Sequence, residues 1–323
     1  MEYRKLGNTG LKVSALCLGT MTMGWTSSKE DSFAVIDAFV EAGGNFIDTA
    51  DVYSFWAEGN PGGIAEMWIG DWMRQYGIPR HQLVIATKVR GRMWDGPNGE
   101  GLSRAHIMKA VEDSLRRLST DYIDLYQTHW PDEDTPLDET LRALDDLVRQ
   151  GKVRYLGASN HPAWLLTKAL WVSDRLGLAR YDCLQPHYNL VHRAEFEREP
   201  MALCQDQGLG VIPYSPLEGG FLTGKYRKGK PMPERARGAT GDRLKGYMTD
   251  RNFALIDKME EIGRAHRASV SQVAIAWLLS NPVVTAPIIG ANTVAQLTDT
   301  MGDLSVKLSD EEFDILNQMS AWE

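Results

Sequence analysis

Eight short apolar runs, separated by stretches of helical periodicity, constrain this chain more than any other feature. The runs lie at residues 15–18, 45–48, 83–87, 122–126, 153–157, 183–185, 210–214 and 284–289. Apolar positions recur with helical spacing at 31–42, 64–76, 104–118, 137–149, 162–176, 194–207, 252–265 and 271–279. Strands that alternate strictly with helices pair in parallel, and eight of them make a (β/α)8 TIM barrel. Ahead of the first run, alternation around Gly7-Asn8-Thr9-Gly10 predicts a β-hairpin that lids one end of the barrel. Ser309, followed by Asp310 and Glu311, predicts an extra helix at the C-terminal end. Ser103 and Ser271-Gln272 mark helix starts, and Gly151 marks the end of the fourth helix. The stretch 216–249, rich in Gly, Pro, Lys and Arg, is expected to be irregular. No repeat or low-complexity linker divides residues 1–323, so one domain is expected.

Charge and cysteine usage narrow the class. Lys plus Arg number 35 against 43 Asp plus Glu, a formal net charge of -8, which offers no basic field to nucleic acid or anionic lipid. Cys17, Cys183 and Cys204 are widely spaced and odd in number, which suits neither a disulfide framework nor a CxxC site. The seven histidines include no HxH or HExxH spacing, so no metal is expected. Without a signal-like N-terminus or a run of about 18 apolar residues, a cytoplasmic protein that crosses no membrane is expected.

In a parallel barrel, chemistry collects where strands end and loops begin. Polar residues at the expected strand ends are Asp48, Lys88, His129, Ser159 with Asn160, Gln185 and Tyr214, and Tyr53 stands a short loop beyond Asp48. A phenol is a poor proton donor at neutral pH, and an adjacent ammonium lowers its pKa. Lys88 is the candidate ammonium, and Asp48 the carboxylate that keeps a buried lysine charged. His129 is placed to donate a hydrogen bond to a substrate oxygen. Together these four describe a general acid for a carbonyl whose carbon receives hydride. Taken singly, each also has a structural reading as a cap, a packing residue or a surface charge.

The segments 3–14 (YRKLGNTGLKVS), 18–20 (LGT), 46–53 (FIDTADVY), 86–89 (ATKV), 121–129 (DYIDLYQTH), 157–160 (GASN) and 214–217 (YSPL) resemble, in one register, the aldo-keto reductases. The resemblance covers nearly the whole chain. It implies a metal-free barrel that reduces a small-molecule carbonyl to an alcohol, reversibly, with a nicotinamide cofactor. It also implies Tyr53 as general acid and base, Lys88 and Asp48 as the pair that tunes it, and His129 as the carbonyl-orienting group. Ser159, Asn160 and Gln185 match the residues that hold the nicotinamide carboxamide, and Tyr214 matches the aromatic on which its ring stacks. The resemblance also implies Thr20 and Asp48 as cofactor-binding residues. Segment 215–225 resembles the loop over the pyrophosphate, with Ser215, Leu217, Gly219 and Lys225 as contacts.

Segment 288–300 resembles the adenosine-binding loop and helix start. Many relatives place Lys or Arg there for the 2′-phosphate of NADP, whereas this chain has Gly290, Asn292 and Gln296, with Asp299 left to hold the adenine. NADP(H) is the expected cofactor, with NAD(H) possible in its place. After Tyr53 the chain runs through an aromatic loop, and Trp25, Phe55, Trp56, Trp94 and Trp130 all lie just past expected strand ends, where they would wall an apolar substrate pocket. No GxGxxG follows the first strand and no GxxxxGK[ST] is present, so neither Rossmann nor P-loop binding applies. Some relatives in the resembled family bind potassium channels, which leaves a cofactor-binding regulatory subunit with little turnover as the alternative.

Overall fold

The computed structural model, which describes residues 1–231, 244–302 and 306–322, opens with an antiparallel hairpin of β1 (Tyr3–Lys5) and β2 (Lys12–Ser14), with Tyr3 opposite Ser14. Eight parallel strands follow: β3 (Cys17–Gly19), β4 (Phe46–Asp48), β5 (Val84–Val89), β6 (Ile123–Thr128), β7 (Val153–Ser159), β8 (Tyr181–Gln185), β9 (Gly210–Val211) and β10 (Ile288–Gly290). They are hydrogen-bonded in the order β10-β3-β4-β5-β6-β7-β8-β9. At the remaining seam Val211 forms a parallel bridge with Val284, and the N–H groups of Thr285 and Ile288 donate to the carbonyls of Val211 (2.7 Å) and Pro213 (2.8 Å). The sheet thus curls until its two ends meet.

Helices α1 (Lys29–Glu41), α2 (Ile64–Tyr76), α3 (Arg104–Leu118), α4 (Leu137–Arg149), α5 (Ala163–Leu176), α6 (Ala194–Glu197), α7 (Pro200–Gln207), α8 (Asp250–His266), α9 (Val270–Ser280), α10 (Val294–Met301) and α11 (Asp310–Met319) surround it. Their ends follow local chemistry. Ser28, Ser103, Thr249, Ser269, Thr293 and Ser309 each accept an N–H three residues on, which satisfies a donor the first turn leaves open. Gly77, Gly177 and Gly208 close their helices in the left-handed conformation.

Strand alternation sorts the core into two. Phe46, Val84, Ala86, Leu125 and Cys183 face inward, where Leu6 and Val13 of the hairpin join them; the intervening residues pack against the helices. The hairpin presses on the barrel floor at Gly7, where φ is +54° and an added Cβ would lie 2.5 Å from Gly208 O and Gly210 N. With one end plugged, the buried side chains that continue the inward set form the layer nearest the other end. Those side chains are Asp48, Lys88, Gln127 and Gln185.

Four expectations need correction, and proline explains most of them. The helix expected over 194–207 is two pieces, because Pro200 has no N–H to continue α6 and instead starts α7. The strand expected at 210–214 stops at Val211 ahead of Pro213. The one expected at 284–289 keeps only its end as β10, beyond Pro287. The start assigned to Ser271 belongs to Ser269, with Ser271 buried inside α9. Within 216–249, 3-10 turns occupy Glu218–Thr223 and Lys245–Tyr247, and residues 232–243 lie outside the described residues. Among the described residues no helix is long and apolar enough to cross a membrane.

Candidate active site

Lys88, fully buried near the end of β5, organises this layer. Its Nζ donates to Asp48 Oδ2 at 2.5 Å, Thr49 O at 2.9 Å and Tyr53 OH at 2.9 Å, so all three ammonium hydrogens are used. The other Asp48 oxygen accepts from Gln127 Nε2 at 3.0 Å and Gln185 Nε2 at 2.9 Å. Asp48 is thereby paired with one cation and two amides, a requirement for a charge removed from water. Tyr53 is presented by the turn that follows β4; its ring meets His129 edge-on at 6.0 Å and Trp56 at 6.3 Å.

Burial pulls the Lys88 ammonium towards losing its proton, but Asp48 and Tyr53 outweigh it and hold the lysine pKa above its ordinary value. For Tyr53 the balance differs from the sequence expectation. Burial pushes the phenol up to about 12; Lys88 pulls it down and Asp48 pushes it up. The ammonium lowers the pKa as one contribution only, and the phenol keeps its proton at neutral pH. An alkoxide is about as basic as the conjugate base of water, whose pKa is ~15.7, so such a phenol still gives its proton downhill.

His129, just past β6, is pushed down to about 3 by burial, with Lys88 and Arg90 adding repulsion, and is therefore neutral. Below pH 6.5 the unfolded chain takes up a proton the folded chain refuses. His129 therefore contributes stability above that pH, which is lost as the pH falls towards 3. A His129→Gln variant is expected to lose less denaturant stability than its parent between about pH 7 and about pH 4; equal losses would mean the imidazole is not held neutral.

Residues at the ends of β7 and β8 form a second polar group. Ser159 Oγ donates to Gln185 O at 3.0 Å, and Asn160 Nδ2 donates to His129 O and Ser159 Oγ, both at 3.0 Å. Tyr214 OH donates to Asn160 Oδ1 at 2.9 Å, and His187 stacks on the Tyr214 ring at 5.0 Å. The Glu218 carboxylate accepts from Asn189 Nδ2 at 2.9 Å and lies 2.6 Å from His187 Nε2. Ser215 accepts from the same Asn189 amide, and Leu217 O accepts from Gly220 N and Leu222 N. Gly219 and Gly220 are left-handed, and a Cβ at Gly220 would meet Lys225 Nζ at 2.7 Å, so Lys225 folds over this turn. Thr20 is buried, its Oγ1 on Asp48 O at 3.0 Å. Along 288–300, Gly290 is open to solvent, Asn292 Oδ1 accepts from Thr26 and Ser27 at 3.0 Å, Gln296 Oε1 accepts from Asn292 N at 2.9 Å, and Asp299 is exposed.

Of the five aromatic wall candidates, four join around Tyr53. Trp56 meets Trp25 at 5.6 Å and Phe55 at 5.4 Å, and Trp130 stacks on His129 at 6.4 Å, all four exposed. Trp94 instead stacks on His106 of α3 at 4.6 Å. Strain concentrates at the same mouth: Ser54, Arg90, Asn160, Ser215 and Glu218 have positive φ, whereas Ser119 and Arg267 merely cap helices.

Sequence reasoning missed Gln127, which the inward alternation from Leu125 would have shown. It also missed His187, Asn189 and Glu218, which meet only in three dimensions. Behind Tyr53, Glu66 accepts from Thr87 Oγ1 at 2.5 Å and Arg117 Nε at 2.6 Å. Asp51 is buried beside them, its carboxyl pKa raised by burial and by Glu66.

A family model described as "Aldo/keto reductase family" matches residues 15–321. The uncharacterized oxidoreductase YrpG of Bacillus subtilis is 39% identical, over 99% of this chain and 96% of its own length. Versiconal hemiacetal acetate reductase of Aspergillus parasiticus is 36% identical over 98% and 96%. A probable voltage-gated potassium channel subunit beta of Oryza sativa is 38% identical over 95% and 92%.

Proposed function

Because the chain belongs to the aldo/keto reductase family, whose members are oxidoreductases, we propose that it reversibly reduces an aldehyde or ketone to an alcohol with NADPH, and with NADH at a modest disadvantage. One observation carries this reading: the buried Lys88 ammonium bonds Asp48 and the Tyr53 hydroxyl together. Tyr53 OH gives its proton to the carbonyl oxygen as negative charge develops there, and takes one back in the oxidative direction. Lys88 stabilises the phenolate left behind, and Asp48 keeps Lys88 charged. His129, neutral, offers a hydrogen bond that orients the carbonyl. Trp56 packs against the Tyr53 ring and Trp130 against His129, so both border this point.

The residues on the other side of the mouth suit a nicotinamide nucleotide. With its Nε2 committed to Asp48 and Gln127, Gln185 presents Oε1 as an acceptor for a carboxamide N–H, beside Asn160 and Ser159, whose donors would turn from His129 O and Gln185 O to the carboxamide oxygen. Tyr214 adds an aromatic face. The left-handed Gly219 and Gly220 bring backbone close to the path of a pyrophosphate, with Lys225 at hand for its charge. The bound cofactor would supply hydride to the carbonyl carbon. On 288–300 Gly290, Asn292 and Gln296 are neutral, which supports only weak recognition of a 2′-phosphate.

Purified protein is expected to oxidise NADPH rapidly with a panel of aldehydes, at a kcat/KM for NADPH less than about a thousandfold above NADH, or roughly 4 kcal/mol of discrimination. A larger ratio would mean a cation outside that segment reads the phosphate. The similarity to a channel β subunit supports a second reading, in which tight cofactor binding comes with no turnover of any carbonyl in the panel.

A further inference from the structure

Arg90 stands at the mouth two residues past Lys88, and beyond adding to the repulsion that keeps His129 neutral it has no role in the chemistry above. Its backbone is held at φ +136°, a region that favours glycine, and its carbonyl is pinned by Gly101 N at 3.0 Å. Its Nε is buried without a hydrogen-bond partner, and its side chain makes no hydrogen bond or ion pair among the described residues. A guanidinium has five N–H donors and no way to shed its charge, so an unpartnered Nε in a partly buried site is costly. Asp132 is a counter-charge within electrostatic reach of Arg90. That carboxylate is already occupied by Leu102 N at 2.7 Å, Thr135 Oγ1 at 2.8 Å and Asp134 N at 3.1 Å. Arg90 is also close enough to His129 to repel its proton.

We infer that Arg90 is the binding residue for a carboxylate carried by the substrate, so that the enzyme acts on carbonyl compounds with an acid group beyond the reacting carbon. The inference rests on the reductase reading of the same mouth. A monoanionic, planar carboxylate suits one guanidinium fork, which it engages through two parallel hydrogen bonds. A dianionic phosphate is disfavoured by Asp132 nearby and by Lys88 being fully engaged. The aromatic walls at Trp56 and Trp130 take the apolar span between the two polar ends. Strain kept at a residue whose side chain has no partner is also accounted for, since strain persists where it serves a ligand.

The test compares 4-carboxybenzaldehyde with its methyl ester. Wild-type protein is expected to prefer the acid, and the acid-to-ester ratio of kcat/KM to fall about 10- to 100-fold in Arg90→Met, largely through KM, with partial recovery in Arg90→Lys. Calorimetric binding of 4-(hydroxymethyl)benzoate against the corresponding benzamide reads the same preference without turnover. Arg90→Gly is expected to melt later than Arg90→Met, since only glycine is at ease at this φ, while losing the preference equally. A ratio unchanged by substitution, or acid and amide bound equally by the wild type, overturns the inference and leaves the reductase intact. Selective acid binding with no reduction of any carbonyl keeps the Arg90 site and removes the reductase.

Discussion

Tyr53→Phe is expected to lower kcat and kcat/KM together by about a hundred- to ten-thousandfold, the range for one positioned general acid, while the cofactor dissociation constant moves less than about twofold. The separation follows from where the hydroxyl points. Tyr53 OH bonds Lys88 at 2.9 Å, and its removal leaves that ammonium two acceptors, Asp48 and Thr49 O. The ring keeps its contacts with Trp56 and His129, and the residues that would hold the carboxamide lie on other strands. No neighbour can take over the proton transfer. His129 is neutral, its pKa pushed down to about 3, and Lys88 is pinned above the ordinary lysine value by Asp48 and Tyr53. Steady-state kinetics and a fluorescence titration with NADPH check this. Near-normal turnover in the variant would mean that water or another group delivers the proton, and Tyr53 would lose its role.

The parts of this protein legible in its sequence are those set by local chemistry. Helices 64–76, 104–118 and 137–149 have the expected bounds, since caps, Gly77 and Gly151 write their ends into neighbouring residues. The hairpin follows from its turn in the same way. Asp48, Lys88 and His129 were found because a parallel barrel turns strand ends into one mouth. Gln127 obeys the same rule, one residue past the apolar run 122–126, but was passed over for His129 two residues on. Depth is what the sequence does not write. How far burial raises the Tyr53 phenol depends on the whole barrel and its aromatic loop, so the contribution of Lys88 has the expected sign and the net shift the opposite one. Arg90 is a case of its own. Nothing in Lys88-Val89-Arg90 signals the positive φ of Arg90 or its buried, unpartnered Nε, which belong to the folded mouth and not to local sequence.

Lys88→Met is expected to be the most damaging single change. It leaves the Asp48 carboxylate, 1% exposed, with only the Gln127 and Gln185 amides, at 3.0 Å and 2.9 Å, and no counter-charge. Removing one member of a buried ion pair typically costs about 3–5 kcal/mol. Urea unfolding should show a loss of that size, with reductase activity lost alongside. The informative comparison is the double variant Asp48→Asn with Lys88→Met. Replacing both charges by groups of similar shape removes the need to bury either, so the double variant should recover most of the stability lost by Lys88→Met alone. Its activity should not recover, because the phenolate of Tyr53 would still lack a cation. If instead the double variant is as unstable as the single one, the pair is structural and its link to Tyr53 incidental. If stability returns without activity, then a fully buried lysine and aspartate are kept in the barrel for the proton that passes through Tyr53, at some expense to the stability an apolar pair would give.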